Sequence, residues 1–143
     1  MHPIPFRRAA RLRLLLLLLS VLFGGRLDAM FVEPPDFAAL VAESDTIVRG
    51  TVTAVESRRV TNQAGFEVIR TYVTVMVEDA FKGTATHSLV LSLLGGRVGD
   101  DRMEVSGMPQ FHVGDRDFLF VARNGEVLCP LIAAGHGRYP VVP

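Results

Sequence analysis

EVIRTYVTVMVEDAFKG, residues 67–83, decides the fold. Ile69, Thr71, Val73, Val75 and Val77 share one face of an extended chain. Val68, Arg70, Tyr72, Thr74, Met76 and Glu78 share the other. A period of two with β-branched residues on one side specifies a half-buried strand. Its length makes it the expected central strand of a small β-domain. Its odd-numbered face should line the interior, with Phe81-Lys82-Gly83 as its exit.

Upstream, Thr46–Val55 reads as a second long strand, with Val48, Gly50, Val52 and Ala54 on one side. Gly50 inside it marks a bulge, a bend or a close backbone approach. The polar run Glu56–Gly65 is expected to be an exposed hairpin connection. Before the first strand, Phe37, Leu40 and Val41 recur at helical spacing. Asp36 is placed to cap a short helix, Phe37–Glu43. A helix this short needs a surface to lie on, and the Tyr72/Met76 face of the central strand is the expected one.

Downstream, Ser88–Leu94 reads as a third strand, with Leu89, Leu91 and Leu93 on one face. The glycine-rich segment Gly95–Asp101 lacks the lysine, the spacing and the following helix of a phosphate-binding loop. Arg102–Val105 reads as a short strand, and Asp117–Ala122 as a compact apolar one. Asn124-Gly125 is a two-residue hairpin signal that should return Glu126–Ile132 as a pairing partner, with Pro130 confining that partner to an edge. The sum is an all-β, mainly antiparallel fold. The expected architecture is a small closed or partly open OB-like β-barrel with one short helix near its start.

The first 29 residues follow a different logic. Arg7, Arg8, Arg11 and Arg13 precede the apolar run Leu14–Phe23, and small residues lead to Ala29. This order is that of a secretory signal peptide, with cleavage expected after Ala29 and a single domain over residues 30–143. A helix over Leu14–Phe23 spans only ~15 Å, against ~30 Å of bilayer hydrocarbon, so no stable membrane span is expected after cleavage. Residues 1–29 hold five of the fifteen basic residues and one of the fifteen acidic ones. The remainder therefore carries ten basic and fourteen acidic residues, a net charge of −4. A mildly acidic domain without a basic stripe argues against nucleic acid as a partner. The expected location is exported, either periplasmic or secreted.

No set of residues forms a catalytic motif, and neither a metal nor a cofactor is expected. His87, His112 and His136 are not spaced as a zinc pair. Adjacent acids such as Asp100-Asp101 and Glu78-Asp79 point to opposite faces of an extended chain. The single cysteine, Cys129, rules out an internal disulfide and reads as a small buried hydrophobe. The candidate site lies in the loops around Gly95–Asp101 and His136–Tyr139, with Arg97, His136, Arg138 and Tyr139 as binding residues for a protein or a small molecule. The leading reading is a non-catalytic binding module. Its alternatives are a small hydrolase using Cys129 with His136, or a protease-inhibitor-like barrel.

Several segments carry a resemblance: IVRGTVTAVES at 47–57, TYVTVMVEDAFKG at 71–83, LGGRVGD at 94–100, MPQFHVGDRDFLF at 108–120 and CPLIAAGHGRYPV at 129–141. Together they resemble a family of uncharacterised exported bacterial proteins, a likeness that implies no particular activity. The order of strands and turns is also similar to the netrin-like, OB-type barrels, which include protease inhibitors. Those inhibitors use an amino-terminal cysteine and disulfides that this chain lacks.

Overall fold

The computed structural model describes residues 35–84 and 87–142. The expected signal peptide lies outside them. Asp36 caps helix α1, Phe37–Glu43, by accepting the Ala39 amide at 2.7 Å. Lys82 closes the other end, donating from Nζ to the carbonyls of Val41 (2.8 Å) and Ala42 (3.5 Å). A cation on the last carbonyls of a helix satisfies acceptors that the helix itself leaves open.

Two sixteen-residue strands, β1 (Thr46–Thr61) and β2 (Glu67–Lys82), form a long antiparallel hairpin. Both continue well past the limits of the hydrophobic pattern, so most of Glu56–Gly65 is strand rather than loop. The turn is held by Asn62, whose Oδ1 accepts the amides of Ala64 and Phe66 at 3.0 and 2.9 Å. Then follow β3 (Ser88–Leu94), the small hairpin β4 (Gly96–Val98) and β5 (Asp101–Met103), β6 (Arg116–Val121), a 3-10 turn (Ile132–Gly135) and β7 (Arg138–Pro140). The main sheet has the order β3-β2-β1-β6-β7, antiparallel throughout. β1 rather than β2 is therefore its centre.

The fold is mostly antiparallel β with one short helix, and the sheet does not close into a barrel. β3 and β7 stand at opposite edges. Both edges are managed. At β7, Pro140 supplies no amide hydrogen, which blunts it as a template for further pairing. At β3, the Asn124 side chain accepts the Ser92 amide (3.0 Å) and donates to the Val90 carbonyl (2.7 Å), while the Leu128 carbonyl accepts the Leu94 amide (2.8 Å). This explains why Asn124-Gly125 makes no hairpin with β6. The amide serves the open edge of β3, and Glu126–Ile132 meets β6 through the isolated Val121–Leu131 bridge instead of a paired strand.

Strand alternation sorts the core onto two faces. Val48, Val52, Val73, Val75, Leu91, Leu93, Leu119 and Val121 point to one side, where Phe111 and Leu131 complete the main cluster. Ile47 and Phe120 point to the other and pack with Leu40 of α1 and Ile132. The helix thus lies on the sheet face that carries Met76, as expected, but it covers the start of β1 rather than Tyr72 and Met76 themselves. The short turn at Ser44-Asp45 and the Lys82 anchor hold it there. Met76, opposite Thr51 further along the hairpin, stays half-exposed, and Tyr72 lies under the guanidinium of Arg58 at 5.5 Å.

Candidate functional site

The face that carries α1 is only partly covered. Cross-strand pairs run along it in sequence: Ile47 beside Phe120, Arg49 beside Phe118, Thr51 beside Arg116. The surface therefore changes from apolar to charged along the strands. At the apolar end lies a groove of about 510 Å³, floored by Ile47, Phe118 and Phe120 and walled by Phe37 and Val41 of α1, Phe81 and Lys82 at the end of β2, and Tyr139 of β7. Its rings interlock: Phe37 edge-on to Phe120 at 6.0 Å, Tyr139 edge-on to Phe120 at 5.8 Å, Phe81 tilted on Phe118 at 5.7 Å. Yet Phe37, Phe81 and Tyr139 remain 71%, 60% and 46% exposed. Large exposed aromatics gathered on one patch, rather than scattered, are the mark of a surface that meets something.

The groove is bordered by an ionic ladder. Arg116 grips Glu78 through both Nε (3.0 Å) and Nη2 (2.6 Å), and Thr51 donates to the same carboxylate at 2.9 Å. Arg49 pairs with Asp79 and lies over the Phe118 ring at 5.8 Å. The hydrogen bonds from Arg116 and then Thr51 hold the Glu78 carboxyl down to about 2, from an ordinary 4.5. The fold thus favours the ionised form. The stabilisation is complete above the ordinary carboxylate value and is lost as pH falls from about 4.5 toward about 2. An NMR titration of the Glu78 carboxyl should return that low value, and Arg116→Gln should bring it back toward 4.5.

On the opposite face, a larger cleft of about 850 Å³ opens between the β1–β2 hairpin, the end of β3, the β4–β5 hairpin and the 104–111 connection. Ser57 and Thr71 form its polar floor, their hydroxyl oxygens 2.9 Å apart. Thr71 donates to the Gly95 carbonyl at 2.7 Å, so Ser57 must be the donor to Thr71. A side chain on Gly96 would collide with both hydroxyls, within 2.4 Å, so the β4 backbone sits directly upon them.

The four candidate residues fall in different places. Arg97 is at the rim of the cleft, its Nε donating to the Gly99 carbonyl at 3.0 Å. Tyr139 lines the aromatic groove. Arg138, its neighbour in β7, points to the opposite face, as strand geometry requires. There it pairs with Asp115 (2.7 Å) and Asp117 (3.0 Å), donates to the Gln110 carbonyl and lies over the Phe111 ring at 4.2 Å. His136 is exposed on the turn before β7. Cys129 packs against the main core, and burial pushes its thiol up, away from the reactive thiolate. Among the described residues no three His, Cys, Asp or Glu side chains gather as a metal site, and no helix is long and apolar enough to cross a membrane.

Phe37, Phe81, Phe118 and Phe120 were not among the sequence candidates. Phe118 and Phe120 did carry a signal: they alternate with Leu119 and Val121, so β6 is apolar on both faces. Comparison with protein-family models, curated proteins and solved structures finds no significant match.

Proposed function

We propose that this chain is an exported, non-catalytic binding module whose docking face is the aromatic groove. Five aromatic side chains on one partly covered sheet face, bordered by the Arg49–Asp79 and Arg116–Glu78 pairs, carry this reading. An apolar, aromatic centre with a charged rim is the anatomy of a protein–protein interface. The partner is a polypeptide that inserts an aliphatic or aromatic side chain between Phe37, Phe81 and Tyr139. The arginine-rich start and the Leu14–Phe23 run of the precursor support export, to the periplasm or beyond. The likeness to a family of exported bacterial β-domain proteins is consistent with that route. The irregular register of β1 and the position of β4–β5 across it support a partly open OB-like reading of the sheet.

Selection of a displayed peptide library on the folded protein, with Phe81→Asp as counter-target, tests the groove. Phe81 is largely exposed, so the variant should keep its fold. Recovered peptides should share an apolar anchor and lose about tenfold or more in affinity on the variant. Peptides that bind both proteins equally would place the docking face elsewhere.

A further inference from the structure

The 850 Å³ cleft has a chemistry unlike that of the groove, and we propose that it binds a small amphipathic anion: an alkyl or aryl carboxylate with its apolar body inside and its head at Arg97. Its volume is in the range of clefts that enclose small ligands. Val55, Val73, Leu93, Met108 and Phe111 line it. The floor hydroxyls satisfy one another in the order Ser57, Thr71, Gly95 carbonyl. These hydroxyls are thus paired and lie under the β4 backbone, so an apolar chain in the cleft strands no donor, the usual penalty for apolar contact with polar groups.

The rim decides the sign of the head group. Arg97, Arg102 and Glu104 are the charged residues of the lining, and Arg102 is paired with Glu104. Arg97 pairs with no carboxylate among the described residues; its one hydrogen bond there runs from Nε to the Gly99 carbonyl. The cleft therefore carries one uncompensated positive charge, on the side chain best shaped to hold a carboxylate. Docking of a peptide in the aromatic groove is a separate property, and either can hold without the other.

Isothermal titration calorimetry of the full exported protein with dodecanoate, and with uncharged dodecanol as the length-matched control, tests this. Dodecanoate should bind more tightly than dodecanol. Arg97→Gln should weaken dodecanoate by about tenfold and erase that preference. Val55→Trp, at a partly exposed position, should fill the cleft and abolish binding of both, while Phe81→Asp leaves both unchanged. Thermal unfolding of each variant checks that it is folded. No dodecanoate binding to the wild type, or binding that survives Val55→Trp and is lost in Phe81→Asp, would overturn the proposal.

Discussion

Arg138→Ala is expected to destabilise the domain by about 3–5 kcal/mol, enough to leave a protein of ordinary stability largely unfolded on mild heating. The reason is what Arg138 leaves behind. Asp117 is 1% exposed, and neither of its carboxylate oxygens has a hydrogen-bond partner among the described residues. Among the described residues the guanidinium is its one counter-charge at contact distance, 3.0 Å away. The same guanidinium holds Asp115 and the Gln110 carbonyl, so it ties β7 to the connection that enters β6. Asp115 is held below the usual carboxylate range, first by the His112 amide and also by Arg138. Its contribution is present above the ordinary carboxylate pKa and is lost as pH falls. Arg138→Lys should lie between wild type and alanine, because lysine keeps the charge for the two acids but loses the second nitrogen that reaches the Gln110 carbonyl. The double variant Arg138→Met with Asp117→Leu should recover much of the loss, since apolar replacement of a whole buried pair is often tolerated. Urea unfolding of the set measures this. Equal stability of wild type and Arg138→Ala would mean that the Arg138 guanidinium does not offset the burial of Asp117.

Arg138 also shows where sequence reading stops. Its neighbours at 136–139 read as one cluster because they adjoin in the chain. In a strand, adjacent side chains belong to opposite faces, and so Tyr139 went to the groove and Arg138 to an internal ion pair. Periodicity located β2, β3, β6 and the capped helix because each is a local pattern. It could not find the true centre of the sheet, since strand order depends on long-range pairing: β1 gains β6 as a second neighbour from 116–121. Nor could it find the role of Asn124, which looks like half of a hairpin turn until the open edge of β3 is known. The aromatic groove was half legible. Phe118 and Phe120 announce a second apolar face on β6, but only the fold brings Phe37, Phe81 and Tyr139 around them. Gly50 was the most legible of the special positions, because a glycine within a β-branched strand has few explanations.

That position carries the second large effect. Gly50→Val is expected to cost about 3 kcal/mol, the upper end for overpacking a well-filled site. Any Cβ at residue 50 would lie 2.4 Å from the Met76 carbonyl oxygen and 2.7 Å from Cγ1 of Val75, a residue with no exposed surface. The first contact is backbone, so it cannot be relieved by a rotamer change. The strands must separate or slide where β1 and β2 already shift register, between Arg49 and Gly50. Sliding would displace Arg49 and Thr51 from Glu78. The low Glu78 titration near 2 should therefore rise toward 4.5 together with the loss of stability. Gly65 provides the contrast: nothing lies within 4 Å of a Cβ there, but its φ is +83°. Gly65→Val should be penalised through backbone conformation alone, by roughly 1–2 kcal/mol, and should leave Glu78 untouched. Urea unfolding and the Glu78 titration, measured on both variants, separate the two mechanisms. If Gly50→Val kept both the stability and the Glu78 value of the wild type, β1 and β2 would not be in the close contact that sets the register of the ionic ladder beside the aromatic groove.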